Sequence, residues 1–260
     1  MIDSFNLAHQ AGATATRFQG VDVPSGTVLK RRGALAGLML CVALVAGCAS
    51  GPTKDPRDPF EVYNRQMNSF NDSLDSAILK PVAITYSTVT PDPVRTAVSN
   101  FFGNLRDVWA TINAALQLRG EDATVNFMRV NVNTVFGLGG LIDIASEIGL
   151  YRSQADFGQT LGYWGVPPGP YLVLPVLGPS TVRDTVGMGV ESRGDLIMNI
   201  DNVPNRNSLY VLRGVETRAG LLRAGAVLDE AALDKYSFTR EIFLQRRQSV
   251  IDAQRNREDE

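Results

Sequence analysis

Apolar residues along most of the chain recur at spacings of three and four, which is the period of an α-helix. The clearest case is residues 93–119, where polar side chains fill most of the other positions. This pattern predicts a strongly amphipathic helix about 40 Å long at about 1.5 Å per residue. Its apolar stripe either faces a protein core or touches lipid. The stripe consists of Val94, Val98, Phe101, Phe102, Leu105, Val108, Trp109, Ile112 and Leu116.

Capping and helix-breaking residues delimit the other helices. Asp58-Pro59-Phe60-Glu61 is typical of a helix start, with Asp58 as the cap. Asp92 can cap the helix over 93–119, Gly120 is expected to end it, and Asp122 can cap the next one. The predicted helices cover about 58–75, 81–88, 93–119, 122–135, 141–149, 180–192, 207–233 and 237–254.

Residues 156–180 depart from the helical pattern because they are rich in glycine, proline and aromatic residues. Proline lacks a backbone N–H, so this segment predicts an extended apolar loop or one short edge strand. No internal linker separates a second domain. The fold class is therefore predicted as mainly α: a single domain of amphipathic helices over 58–254, with one Pro/Gly-rich extended loop. Residues 255–260 form a charged tail.

A targeting segment precedes the helical region. Three basic residues, 30–32, are followed by the apolar run 33–45, which has the length of the hydrophobic region of a signal peptide and is too short to span a membrane. The run ends in Val45-Ala46-Gly47-Cys48, a lipobox. We expect residues 30–47 to be a lipoprotein signal peptide and Cys48 to be acylated, since several acyl chains on one cysteine anchor a protein stably. The alternative is a short buried helix with an incidental cysteine.

The segments on either side of the signal peptide refine this picture. Residues 1–29 lack periodicity and precede the basic residues, so we expect translation to start later, at Val28 or Leu29. Residues 48–57 predict a flexible, lipidated tether. Ala49 stands where inner-membrane retention typically uses aspartate. The expected location is therefore the outer membrane, with the protein facing the periplasm.

Composition excludes several classes of function. The net charge of −2 gives no reason to expect nucleic acid. The one histidine, His9, and the second cysteine, Cys41, precede Cys48, so the processed chain carries no imidazole and no free thiol. This removes Ser-His-Asp and Cys-His catalysis and nearly all zinc sites. We therefore expect no catalytic residue, no metal and no cofactor, and a protein that is not an enzyme.

One enzymatic alternative uses carboxylates. Asp143 and Glu147 are four residues apart on a predicted helix, as a hydrolase acting on lipid or cell wall could require. Such spacing is more commonly surface electrostatics or capping. Nearby, Arg129 lies among apolar residues of the helix over 122–135. Because an unpaired buried charge is costly, Arg129 needs a partner.

Several short segments are specific when they occur in this order behind a lipobox. They are 58–65 with Phe70-Asn71, then 100–105, 137–145, 156–162, 169–180, Arg183-Asp184 and 236–247. Together they make the chain from Cys48 onward resemble the MlaA/VacJ lipoproteins across nearly its whole length. The chain departs from that pattern in its 29-residue extension before the signal peptide and in its early end after Arg247.

The resemblance implies a fold and a function. Members of the family form a ring of helices within the periplasmic leaflet of the outer membrane, around a central amphipathic channel. Phospholipids misplaced in the outer leaflet descend through it to a soluble, MlaC-like periplasmic carrier, which maintains lipid asymmetry. Relatives bind trimeric porins. The expected partners are thus phospholipid, the outer membrane, a porin and the carrier. The alternative is a structural porin-associated lipoprotein without transport activity.

Two groups of residues are candidates for the transport machinery. The helices over 93–119 and 122–136 can supply the channel wall, and the glycine cluster 137–140 and the Pro/Gly-rich loop can supply a gate or hinge. That cluster is otherwise a flexible turn or a close helix contact. The candidate lipid contacts are Phe101, Phe102, Leu105 and Trp109, and the candidate gate residues are Gly137, Gly139 and Gly140.

Overall fold

The computed structural model describes residues 55–256. Cys48, the signal peptide, the segment before it, most of the tether and the end of the charged tail lie outside the described residues, so the expectations for them stay predictions. Helices dominate the described part, which confirms a mainly α fold. The elements are α1 (Glu61–Leu74), a π-helical turn (Asp75–Leu79), α2 (Lys80–Val89), α3 (Asp92–Leu116), α4 (Gly120–Val135), α5 (Ile144–Glu147), α6 (Phe157–Tyr163), β1 (Tyr171–Leu174), β2 (Gly178–Thr181), α7 (Val182–Gly194), α8 (Val203–Gly220), α9 (Leu222–Ala231) and α10 (Lys235–Asn256).

The first helical segment is longer than the sequence predicts. Helices α1 and α2 are joined through the π-helical turn into one run over 61–89, with helical backbone angles at both junctions. The wider turn lies directly before Pro81, where the helix must continue without a backbone N–H. The predicted break before Pro81 was therefore wrong, although the helix predicted over 81–88 exists as α2.

Helices α3 and α4 pack against each other as an antiparallel pair. A tight connection joins them, in which Leu118 adopts a left-handed φ of 61°. Gln117 and Arg119, on either side of it, are buried. Helix α3 of this pair supplies one wall of the cleft described below.

A two-stranded antiparallel hairpin packs on α1 and α10. Strands β1 and β2 pair from Tyr171 opposite Thr181 to Leu174 opposite Gly178. Asn64 of α1 fixes the hairpin: its Nδ2 donates to the carbonyl oxygen of Tyr171 at 3.0 Å, and its Oδ1 accepts from the amide of Val173 at 2.8 Å. A small apolar cluster forms here around Tyr171, Val173 and Tyr236, with Met67, Phe243 and Leu244 against it.

Asp58 does not cap the first helix, contrary to prediction. Helix α1 begins at Glu61, and no side chain caps it. The carboxylate of Asp58 is fully buried and accepts hydrogen bonds from Asn64 Nδ2 at 2.8 Å, from Arg240 Nη1 at 2.8 Å and from the hydroxyl of Tyr236. Tyr236 and Arg240 of α10 thus occupy the carboxylate oxygens of Asp58 that would otherwise accept from backbone amides at the start of α1.

The predicted boundaries of the central helices also need correction. Gly120 does not stop α3 but is the first residue of α4, since the turn is made at Leu118. Asp92 and Asp122 lie inside the first turns of α3 and α4 rather than at their caps. Asp122 forms an ion pair with Arg119.

Two further predictions differ from the structure. Residues 156–180 hold a helix, α6, and both strands of the hairpin rather than a loop or a single strand. Asp156 caps α6 by accepting from the amide of Gln159 at 2.8 Å, which offsets the low helix propensity of the glycines in α6.

The helix predicted over 207–233 is two helices, α8 and α9, separated at Leu221.

Candidate functional site

Helix α4 has its polar face inside and its apolar face outside. Asn126, Arg129 and Asn133 are buried, at spacings of three and four. On the other side, Phe127 is 56 % exposed and Val135 is 69 % exposed. A water-soluble helix shows the opposite distribution, so α4 presents its hydrophobic surface to the surroundings.

Helix α3 also buries polar side chains and exposes some of its apolar ones. Its predicted apolar stripe does not face a core as a whole, because Val94, Ile112 and Leu116 are each more than 40 % exposed. Small and polar side chains occupy much of the buried face, since they allow α4 to approach closely and form hydrogen bonds. That face consists of Phe102, Gly103, Asn104, Asp107, Ala110, Asn113 and Ala114.

Arg129 is the centre of a buried ion-pair cluster. Its Nη2 donates to both carboxylate oxygens of Asp143, at 2.9 and 3.0 Å, and its Nε donates to Asp107 Oδ2 at 3.2 Å. Ser146 Oγ accepts from Nη1 at 3.0 Å, and Arg152 Nε donates to Asp107 Oδ1 at 2.5 Å. The expectation that Arg129 has a partner is confirmed: the cluster ties α3, α4 and α5 together.

Asp143 is held in its ionised form. Burial alone would raise its pKa, but hydrogen bonds from Ser146, Asn133 and Arg129 outweigh burial and lower the pKa from 3.8 to about 2. A general acid requires the opposite shift. Glu147, its suggested catalytic partner, lies on the exposed surface. The geometry therefore supports a structural role for Asp143 in the cluster and as the cap of α5, where it accepts from the amide of Ser146.

A cleft of about 770 Å³ opens beside α3. Phe102, Leu105 and Trp109 line it, so three of the four candidate lipid contacts lie together on one wall. Phe101 lies outside this lining and packs edge-to-face on Phe102, with ring centroids 5.3 Å apart. The remaining apolar lining includes Leu177, Met188, Leu196 and Met198, and the charged lining consists of Arg106, Asp107, Arg152, Asp156, Glu191, Asp195 and Arg213.

Trp109 joins the cleft wall to the end of α7. Its indole Nε1 donates to the carbonyl oxygen of Gly194 at 3.3 Å. A Cβ atom at Gly194 would lie 2.3 Å from Cζ2 of the indole ring. Only glycine therefore lets α7 end against this tryptophan, and the contact holds α7 beside the cleft.

The three candidate gate glycines have different surroundings. Gly137 is buried, and a Cβ there would lie 2.5 Å from the carbonyl oxygen of Asn133. Gly140 has a φ of 93°, donates to the same oxygen at 2.8 Å and lies against Asn104 of α3. Gly139 has a φ of 72° and open space around it. Close contact thus requires glycine at 137 and 140, while the gating role stays a prediction.

The cleft contains residues that the sequence did not single out, namely Arg106, Arg152, Glu191, Asp195 and Arg213. Their charges gave no signal because charged residues at isolated positions are most often solvated. Packing between segments that are distant in the sequence brings them to the cleft. For example, Asn113 Nδ2 of α3 donates to Glu191 Oε1 of α7 at 3.0 Å, across 78 residues.

Two features of residues 55–256 bear on metal binding and on membrane insertion. No group of three or more His, Cys, Asp or Glu side chains in this range is arranged to hold a metal ion. Over the same range, no helix combines the length and the apolar character needed to cross a membrane.

Comparison with known proteins places this geometry in a family. Residues 56–250 match the model of the MlaA lipoproteins. The chain belongs to the MlaA family. Residues 25–63, around the lipobox, also match a model for the outer lipoprotein subunit of a T7-like virus spanin.

Named relatives of MlaA type span most of the chain. The intermembrane phospholipid transport system lipoproteins MlaA of Shigella flexneri and Escherichia coli K12 are each 36 % identical over 225 residues, which is 84 % of this chain and 89 % of theirs. The protein of the same name from Haemophilus influenzae is 34 % identical over 171 residues, covering 63 % of this chain and 68 % of its own length.

A solved structure shares the fold. It was described under "Structural basis for maintenance of bacterial outer membrane lipid asymmetry" and matches with a TM-score of 0.66 and 35 % sequence identity, covering 75 % of this chain and 98 % of its own. The family and the mainly α fold predicted from the sequence are thus confirmed. By name, the MlaA relatives are transport-system lipoproteins rather than enzymes.

Proposed function

We propose that this MlaA-family lipoprotein removes misplaced phospholipids from the outer leaflet of the outer membrane and passes them to a periplasmic carrier. The relatives are named for intermembrane phospholipid transport, and the matching solved structure was described in terms of outer-membrane lipid asymmetry. In this proposal the protein maintains that asymmetry and breaks no covalent bond.

The inverted distribution of side chains is the observation that carries the proposal. Among the described residues, buried polar and charged side chains outnumber buried apolar ones, while many large apolar side chains are exposed. Phe136 and Leu138, beyond the end of α4, are each 69 % exposed. Hydrocarbon is the medium in which such a surface is stable, because water makes each exposed CH₂ unfavourable by about 0.8 kcal/mol.

The cleft suits an amphiphile better than it suits a purely apolar or a purely ionic ligand. Its wall combines Phe102, Leu105 and Trp109 with arginine and carboxylate side chains. Acyl chains need the apolar part, and a headgroup cannot enter hydrocarbon without polar partners. We therefore assign the cleft to the lipid path, and the ring of helices around a central channel belongs to the same proposal.

The anchor suggests the location, and the family resemblance suggests the partners. Acyl chains on Cys48 would hold the protein on the outer membrane facing the periplasm, because Ala49 gives no inner-membrane retention signal. There it would meet a trimeric porin and a soluble, MlaC-like carrier. The turn at Gly137, Gly139 and Gly140 would gate the path, with exposed Leu138 at its tip in contact with lipid.

The experiment compares outer-leaflet phospholipid in a strain that lacks the gene, complemented with wild-type protein or with Cys48→Ala. We expect surface phospholipid to rise in the deletion strain, to return to normal with wild type and to stay high with Cys48→Ala. Unchanged surface phospholipid in the deletion strain would contradict transport and favour a structural role beside a porin.

A further inference from the structure

Most charged side chains in the cleft are already paired with one another or with a neighbour. Asp195 Oδ2 accepts from Arg213 Nη1 at 2.9 Å. Asp107 is bound by Arg129 and Arg152, as described above. Asp156 forms an ion pair with Arg247, which lies behind it on α10. These pairs hold the walls of the cleft and leave little charge for a ligand.

Glu191 is the exception among the cleft carboxylates of the described chain. Its Oε1 accepts from Asn113 Nδ2 at 3.0 Å and from the amide of Phe157 at 2.7 Å, but no lysine or arginine nitrogen of the described residues forms an ion pair with it. The charges that act on its pKa are those of Asp156 and Arg247, which pair with each other. Burial raises the pKa of Glu191, because removal from water disfavours the ionised carboxylate more than the hydrogen bonds and Arg247 favour it.

Arg106 is the matching exception among the cleft arginines. Within residues 55–256 it forms no ion pair and no hydrogen bond through its side chain, and it is exposed at the cleft. Arg106 and Asn113 are seven residues apart on α3, so they share one face and are separated by about 10 Å along the axis. Because Asn113 binds Glu191, the free cation and the unpaired carboxylate belong to the same stretch of wall.

We propose that Arg106 and Glu191 together select a zwitterionic phospholipid headgroup, in which Arg106 binds the phosphate and Glu191 binds the ammonium. This inference rests on the proposed function, because it assigns a headgroup preference to the lipid path.

The chemistry of the two side chains supports this assignment. Guanidinium presents parallel N–H donors to a phosphodiester, and a partly buried carboxylate forms a charge-assisted hydrogen bond with an ammonium group. An anionic headgroup without an amine pairs with Arg106 through its phosphate but offers Glu191 no cation. The cleft should therefore prefer phosphatidylethanolamine to phosphatidylglycerol.

Native mass spectrometry of the acylated protein in detergent, with equimolar dipalmitoyl phosphatidylethanolamine and phosphatidylglycerol, measures this preference. We expect wild type to bind the ethanolamine lipid about tenfold more strongly, which corresponds to about 1.4 kcal/mol. Glu191→Gln keeps the acceptor used by Asn113 and Phe157 and should bring the ratio close to one. Arg106→Gln should weaken binding of both lipids. Glu147→Gln, an equal charge change on the exposed surface, should alter neither.

The outcomes separate this inference from the proposed function. Binding of both lipids by wild type at equal strength, or an unchanged ratio in Glu191→Gln, overturns headgroup selection and leaves the transport proposal intact. A wild-type protein that binds neither lipid overturns both.

Discussion

Arg129 and Asp143 form a two-bond salt bridge in which one guanidinium nitrogen, Nη2, lies 2.9 and 3.0 Å from the two carboxylate oxygens. The Arg129 side chain is fully buried, and the bridge links α4 to the cap of α5. Asp107 of α3 holds the other side of the guanidinium. These ion pairs fix the position of α4 relative to α3 and α5, although the interface between the helices is polar.

Removing the arginine tests the importance of this cluster. We expect Arg129→Gln to lower the free energy of unfolding by about 3–5 kcal/mol, because it leaves Asp143 without its cation and the buried Asp107 with Arg152 alone. Denaturant unfolding of the purified protein measures the change. Arg193→Gln, on the exposed surface of α7, is the control and should stay within about 0.5 kcal/mol of wild type. Equal stability of the two variants would contradict the role assigned to Arg129.

The lowered pKa of Asp143 predicts a pH dependence of stability. Its folded-state pKa is about 2 and its ordinary value is 3.8, so the unfolded state binds the proton more tightly. The contribution is therefore complete above the unfolded pKa and is lost as the pH falls from about 4 towards 2. We expect Asp143→Asn to be less stable than wild type by about 1–2 kcal/mol at pH 6, with a difference that shrinks below pH 4. A difference that is constant between pH 6 and pH 3 would contradict this account.

The contact between Trp109 and Gly194 predicts a local packing defect. Gly194→Ala places a methyl group 2.3 Å from the indole ring, so we expect a loss of about 1–3 kcal/mol and a shift in Trp109 fluorescence. Fluorescence is recorded in a Trp164→Phe background, which leaves one tryptophan. Gly189→Ala on the same helix has open space and should be neutral or stabilising. An unshifted spectrum in Gly194→Ala would show that the contact does not constrain the ring.

A reversible tether tests the gate proposed for the glycine turn. Asn100 Nδ2 donates to the carbonyl oxygen of Leu141 at 3.2 Å, which places α3 beside the turn, so cysteines at these two positions are chosen for a disulfide between them. With Cys48 acylated, they would be the free thiols of the processed chain. We expect the disulfide form to raise surface phospholipid and reductant to restore the normal level. Normal lipid asymmetry with a fully formed disulfide would remove the gating role.

Periodicity in the sequence predicted the helices well but not their surroundings. The helix over 93–119 exists as α3, yet spacing alone cannot tell whether an apolar stripe meets protein or hydrocarbon. Asp58 fits the local pattern of a cap but is bound by Tyr236, which lies 178 residues away. Glu191 could not be singled out from the sequence, because its lack of an ion-pair partner within the described residues is a property of the folded structure. Local sequence patterns thus predicted the positions of helices, whereas contacts between residues distant in the sequence determine which side chains form the cleft.

The central claim is that a phospholipid enters the cleft beside α3, and site-specific photo-crosslinking in intact cells tests it most directly. A crosslinker at Leu105, which lines the cleft, is compared with one at Glu230, which is exposed on α9 outside it. We expect covalent phospholipid adducts at position 105 and few or none at position 230. Absence of adducts at position 105, in a protein that restores lipid asymmetry, would show that the cleft is not the lipid path.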